Sequence, residues 1–477
     1  MAEPSSAVED PGTNGRAMTM RWAMATLSLS MLMPSLDTSI ANAGLPVLAQ
    51  AFTASFQGAQ WIVLAYLLAI TTLIVSVGRL GDLVGRRRLL LAGIVLFSAA
   101  SLLCGAAPML PVLIGARIAQ GLGAAIMMAL TVAFVGETVP KARTGSAMGL
   151  LGTMSAIGTM LGPSLGGMLI TAFGWRSIFL VNVPLGLLNV LLALRYLPAD
   201  TREPKAGRAR FDVVGTLLLA STLAAYALAM TLGHGHFGRL NLALLLAAMG
   251  GAGLFVLVES RSASPLVRLA MFRDAGLSAS LAMSMCVSAV MMTTLVVGPF
   301  YLSRALGLKM ALVGFVLSTG PLISAFSGVP AGRIVDRFGA PRIVMIGLLG
   351  IACGCLALSL LPTWSGIAGY IACIALLTPG YALFQAANNT VVMMGVRPDQ
   401  RGVVSGMLSL SRNLGLVTGA SVLGAVFAFA AGGSDIPQAD PVAVAAGMRR
   451  TFAVAAMLIV VAVAIAARSL LRTAGDG

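Results

Sequence analysis

The chain has 477 residues, 58% of them hydrophobic and 10% charged, with a mean hydropathy of +0.95. These values exclude a soluble globular protein, because apolar runs of the roughly 20 residues that a helical span needs recur along the whole chain. The runs are continuous rather than alternating, which selects helices over a membrane β-barrel.

In chain order, residues 1–21 are polar and carry Glu3, Glu9 and Asp10. A secretory signal is basic first and ends in a small-residue cleavage site, so this segment reads as a disordered cytoplasmic tail. Fourteen spans are predicted at 22–46, 58–78, 89–107, 111–136, 144–170, 178–197, 213–233, 240–258, 276–302, 311–332, 342–361, 365–389, 402–431 and 450–471. The expected organisation is an N-terminal six-helix bundle over 22–197 and a cytoplasmic linker over 198–212. Two extra transmembrane helices follow at 213–258, then a second linker at 259–275, a C-terminal six-helix bundle at 276–471 and a tail at 472–477.

The net charge of +15 is a topology signal. With the N-terminus in the cytoplasm and sides alternating, 23 basic residues fall in inside segments and 6 in outside ones, with Arg117 and Arg412 within spans. That is the positive-inside pattern and a lipid-surface feature, and no nucleic-acid partner is expected. The five cysteines, including Cys353 and Cys355, have neither zinc nor redox spacing. His234 and His236 stand in a short Gly-rich turn with no further ligand close by, so no metal is expected.

The chain also repeats itself. Gly78–Arg88, with Asp82 and Gly85, returns as Gly332–Arg342, with Asp336 and Gly339, at an offset of 254. Pro140 and Arg143 return as Pro398 and Arg401 (offset 258), and Gly158 and Gly162 as Gly415 and Gly419 (offset 257). Both copies of the first motif lie on the same side, so the repeat is parallel, as in transporters built from two halves related by an axis along the membrane normal.

These residues carry a resemblance. Gly78–Arg88 resembles the loop-2/3 signature of the major facilitator superfamily, with Leu83 in place of the usual basic residue, which the second copy keeps as Arg337. The segment Leu113 to Ala125, with Arg117, Gln120, Gly121 and Gly123, resembles its fourth-span signature. Gly158, Gly162, Pro163, Gly166 and Gly167 resemble the fifth-span signature that marks antiporters. Leu36–Pro46, with Asp37 and Asn42, and Gly174–Gly186 are similar to segments of the 14-span drug:proton antiporters. The resemblance implies an all-α fold in which spans 1, 4, 9 and 12 surround a central cavity.

Asp37 is the only acid well inside an apolar stretch, and such a residue usually faces a cavity and works there. It lies nine residues from Pro46, and Arg117 six from Pro111, or roughly 13 Å and 9 Å from the outer end at 1.5 Å per residue. The long arginine side chain closes that gap. Proton binding then competes with Arg117 or substrate for the carboxylate; the alternative is a static ion pair that only fixes packing. Gln120 shares the face of Arg117. Asn42, Gln120, Gln385 and Asn389 are expected to line the cavity, with helix–helix hydrogen bonding as the alternative for the last two. Trp61 and Tyr66 would stack on a flat cation or anchor span 2. Arg412 would bind anionic lipid or a carbonyl end, and the sequence does not choose between them.

The span-5 glycines let another backbone approach closely and Pro163 permits a bend, which together would seal span 5 against the second half. Asp82 would dock on the start of span 13 near Gly402, and Asp336 on span 5 near Thr144. Each carboxylate gains from a helix N-terminus only while the cytoplasmic side is closed. Gly85, Arg86, Arg87 and Arg337 belong to the same gate motif. No metalloprotease motif, nucleophile elbow or phosphate loop is evident, so no enzyme and no cofactor are expected.

The sequence therefore reads as a monomeric, multi-pass protein of the bacterial cytoplasmic membrane with both termini inside. It would export apolar, neutral or monocationic small molecules against protons, since a dication would work against the potential at about 2.3 kcal/mol per charge per 100 mV. A metabolite exporter, symporter or facilitator is the alternative.

Overall fold

The computed structural model describes residues 11–74, 76–138, 144–198, 200, 212–232, 238–262, 269–394, 401–432 and 439–475. All regular structure among them is helical. Span 1 is Pro11–Ala51, span 2 is broken into Phe56–Ile74 and Val77–Val84, span 3 is Arg86–Ala106, span 4 Leu110–Thr138 and span 5 Thr144–Phe173. Span 6 comprises Ser177–Leu180 and Asn182–Tyr196, followed by span 7 (Val213–Thr231) and span 8 (Arg239–Arg261). Span 9, Ala275–Phe300, runs on into a π-helical turn, Tyr301–Ala305. Then come spans 10 (Met310–Phe338), 11 (Ala340–Ser359) and 12 (Gly366–Met394). Span 13 is Arg401–Thr418, a π turn Gly419–Leu423, and Gly424–Ala430; span 14 is Pro441–Gly475.

Among the described residues, 13 helices are long and apolar enough to cross a membrane, and these are spans 2 to 14. Span 1 is not one of them, because Ser28, Ser30, Ser35, Asp37, Thr38, Ser39 and Asn42 dilute its apolar character. It is nonetheless 41 residues long and packed by spans 4, 5, 6 and 9. Its polar groups therefore meet protein, where lipid would leave them unsatisfied. The expected count of fourteen turns on this one helix.

Packing repeats with the sequence. Span 1 packs on 5 and 6, span 4 on 2 and 3, and span 3 on 6. In the second half span 9 packs on 13 and 14, span 12 on 10 and 11, and span 11 on 14. Spans 7 and 8 pack on each other, and span 7 leans on span 2, where Trp61 Nε1 donates to Thr231 Oγ1 at 3.0 Å.

The two halves meet tightly at the end that carries Phe173 and Met310. A Cβ on Gly167 would lie 2.6 Å from the Met310 carbonyl oxygen, and one on Gly314 would overlap the Pro163 carbonyl. The Ser164 amide donates to Ser318 Oγ at 3.1 Å. Gln60 Nε2 donates to the Ala420 carbonyl at 2.6 Å, inside the π turn of span 13. Phe56, Phe300 and Phe427 form an aromatic cluster there, with Phe56 at 4.9 Å and 5.3 Å from the other two rings. Toward the opposite end of spans 5 and 10, a Cβ on Gly152, Gly328 or Gly332 would meet nothing within 4 Å among the described residues.

Candidate functional site: a buried carboxylate cage beside a cavity

Asp37 is 1% exposed and Arg117 is fully buried. Arg117 Nη1 donates to Asp37 Oδ2 at 2.5 Å and to Gln120 Oε1 at 2.7 Å. Asp37 Oδ1 accepts from Gln120 Nε2 at 2.8 Å and from Asn182 Nδ2 at 2.7 Å. Gln120 Nε2 also donates to Ser101 Oγ at 2.7 Å, and Arg117 Nε to the Ile62 carbonyl at 3.0 Å. The guanidinium lies over the Tyr66 ring at 4.2 Å, and the Tyr66 hydroxyl donates to the Pro34 carbonyl at 3.3 Å. Spans 1, 2, 3, 4 and 6 thus build one cage, in which spans 4 and 6 supply the donors to the carboxylate. Every contact to its oxygens comes from a donor, an arrangement that suits the ionised form, which is acceptor-only. The donors around the carboxylate offset the cost of burying the pair, although Arg117 Nη2 has no partner among the described residues.

Sequence reasoning brought Asp37, Arg117 and Gln120 together through depth and helix spacing, but missed Asn182 as a ligand of the carboxylate. Asn182 stands at the break within span 6, and this junction of two short helices was the available signal.

The residues expected to line the cavity separate into different places. Gln120 and Tyr66 belong to the cage. Trp61 anchors span 7. Asn42 is 1% exposed, and neither amide atom has a partner among the described residues. Gln385 is half-buried and Asn389 exposed. They follow Tyr381 at four-residue spacing and share its face, while the adjacent Asn388 donates from Nδ2 to the Ser280 carbonyl at 3.3 Å.

A cavity of about 170 Å³ lies in the second half. Spans 9, 10, 12 and 13 form its wall, and the first half contributes Thr159. Adding the repeat offsets of 254 and 258 to Asp37 lands on 291–295, and Met291, Thr294 and Leu295 line this cavity. The offset 257 carries Arg117 and Gln120 to Ile374 and Leu377, which line it too. One half therefore holds a sealed polar cage where the other holds an apolar chamber. They touch through Thr159, whose carbonyl accepts from Ser39 Oγ at 2.8 Å, two residues from Asp37.

The glycine stripe of span 5 differs from expectation. A Cβ on Gly158 would lie 2.7 Å from the Leu32 carbonyl, and Gly162 and Gly166 meet Ser39 and Ile40. Three of the four glycines thus dock span 5 on span 1 of its own half. Only Pro163 and Gly167 face the second half. The faces of one helix are fixed relative to each other, but which neighbour each meets is set by packing. Gly415 and Gly419 do the same in the repeat, against Met285 and Ala289 of span 9.

The gate motif also contacts its own half. Gly85 has φ 99°, and Asp200, just after span 6, accepts from the Arg87 and Arg88 amides at 2.9 Å and 3.3 Å. Arg87 Nη2 donates to the Leu194 carbonyl. Asp200 was not singled out by sequence. The Arg86 amide opens span 3. The side chains of Asp82 and Thr144 lie outside the described residues, as do His234 and His236. Asp336 and Arg337 are exposed, with the Arg337 guanidinium 5.3 Å from the Phe338 ring.

Two packed helical halves of apolar spans, with a buried ion pair in one and a chamber in the other, are the architecture of a multi-pass membrane transporter. The family model of the Major Facilitator Superfamily matches residues 27–420, and the chain belongs to that superfamily. It is 34% identical over 413 residues to the multidrug resistance protein Stp of Mycobacterium tuberculosis, covering 86% of this chain and 76% of Stp. It is 30% identical over 412 residues to the riboflavin transporter RibZ of Clostridioides difficile, covering 86% of this chain and 89% of RibZ. The multidrug efflux pump LfrA of Mycolicibacterium smegmatis is 29% identical over 437 residues, 91% of this chain and 86% of LfrA. A bacterial homolog of the human lysosomal transporter Spinster, solved inward-facing and unoccupied, shares the fold. Its TM-score is 0.66 at 17% identity, over 95% of this chain and 98% of that one.

Proposed function

We propose that this transporter is a proton-coupled exporter of apolar small molecules in a bacterial cytoplasmic membrane, with both termini in the cytoplasm and fourteen spans in the domain division given above. The observation that carries the reading is the Asp37 cage. A carboxylate at mid-membrane depth, held by donors from spans 4 and 6, serves as the proton site, and because those spans belong to its own half, freeing it takes a shift of helices within that half. On the positive-inside orientation, the sealed Phe173–Met310 end faces outward. The conformation is then inward-open, with the carboxylate ionised and the chamber ready for substrate. Rocking of the halves would expose Asp37 to the outside, where it takes up a proton as substrate leaves. The proton gradient is the energy source and no cofactor is needed. A monomer suffices, because each chain holds both sites. The names of Stp and LfrA favour export of drugs; that of RibZ favours a metabolite as the second reading.

The test is drug-induced proton release from inverted vesicles that contain wild-type protein or Asp37→Asn. Coupled efflux should vanish in the variant at normal protein abundance. Unchanged coupling would move the proton site elsewhere while leaving the fold intact.

A further inference from the structure

The chamber holds one charge that the proton cycle does not use. Arg412 sits on span 13, eleven residues past Arg401 and so about 16 Å along the helix. It lines the cavity and is exposed to it. Among the described residues it has no hydrogen bond, ion pair or ring contact. Among the described residues no other charged side chain lines the cavity, and Asp37 and Arg117 are sealed off in the first half. An arginine at this depth is costly, and where it persists it marks a substrate or ion path. Its planar fork matches a carboxylate, sulfonate or phosphate. The same cavity is lined by Ser324, Thr378 and Tyr381, whose hydroxyl groups can donate to an anion, while Met291 and Ile374 furnish apolar walls.

We propose that Arg412 is a substrate-binding residue and that the chamber selects amphiphilic anions, an aromatic body with one acidic group, over cations of the same size. This rests on the export reading and refines it. The chamber's volume of about 170 Å³ sets the scale in this conformation: an engineered apolar cavity of about 150 Å³ holds benzene, so one ring fits inside it and the second ring of a fused pair extends toward Thr159 and the first half. The proposal replaces the monocation expected from sequence, which weighed the membrane potential against dications but not what the cavity attracts. It also changes the energetics. A monoanion leaving as a proton enters moves two charges in the favourable direction, so an inside-negative potential drives export, whereas exchange of a monocation would be electroneutral.

The test is equilibrium binding of naphthoate, naphthylmethanol and naphthylmethylammonium to the full-length protein in nanodiscs of phosphatidylcholine. The three probes differ little in size and differ in charge. Wild type should bind naphthoate most tightly. Arg412→Gln should weaken naphthoate roughly ten- to hundredfold, the range of a charge-assisted hydrogen bond, and leave naphthylmethanol within about twofold, which also reports a folded chamber. Arg412→Lys should recover part of the loss. An unchanged order of affinities in Arg412→Gln would overturn the assignment. So would competition by lipid: if phosphatidylglycerol in the nanodisc abolishes naphthoate binding to wild type, the guanidinium serves an anionic headgroup. No proton gradient is present in this assay. It therefore fails or succeeds independently of proton coupling, which the vesicle experiment reads.

Discussion

Gly167 is one of the close contacts between the two halves at the sealed end, and Gly167→Ala should unseat it. A Cβ there would stand 2.6 Å from the Met310 carbonyl oxygen and 3.1 Å from Ala311 Cα. Ordinary contact begins near 3.4 Å, so span 10 must withdraw by about 0.8 Å, and both obstructing atoms are backbone. Overpacking of this kind costs about 1–3 kcal/mol. Because the clash exists only while this end is closed, the cost falls on one conformation and shifts the closed-to-open ratio by roughly five- to 150-fold. Gly158→Ala is the control. Its Cβ would crowd Leu32 O at 2.7 Å and Leu36 N at 3.0 Å, a contact inside one half that survives rocking. It should lower stability and leave the ratio alone. Spin labels at Phe173→Cys and Lys309→Cys, both exposed, in a background without the five native cysteines, report the opening as a longer interlabel distance. A Gly167→Ala distribution identical to wild type, or an equal shift from Gly158→Ala, would refute the reasoning.

Arg117→Met should lower stability by about 3–5 kcal/mol, because it leaves Asp37 buried without its counter-charge. Adding Asp37→Leu should restore most of that in thermal unfolding; equal melting of single and double variants would show that the pair is not what holds these helices. Gly85→Ala places a Cβ 2.5 Å from Asp200 Oδ2 at φ 99°. It should lose about 1–2 kcal/mol to the left-handed backbone plus about 0.5–2 kcal/mol for the displaced cap. Asp200→Ala should lose only the second part, which the difference in melting temperatures would reveal.

The all-helical membrane class, the order of the apolar helices and the internal repeat were legible in the sequence, because hydropathy acts on whole segments. The meeting of Asp37 with Arg117 was legible as well. Depth along a helix follows from a fixed rise per residue, and a long guanidinium tolerates error in it. Helix rotation and partner choice were not legible. In lipid, no hydrophobic force distinguishes the face that meets another helix from the face that meets acyl chains, so span 5 gave up its small-residue stripe but not the identity of the helix that fills it. Tertiary packing decided that Gly158, Gly162 and Gly166 take span 1. It also closed Asn182 onto Asp37 across 145 residues and brought Asp200 back to span 3. The same rotations placed the cage and the chamber in opposite halves, turning Arg412, whose role sequence left open, into the chamber's one charge among the described residues.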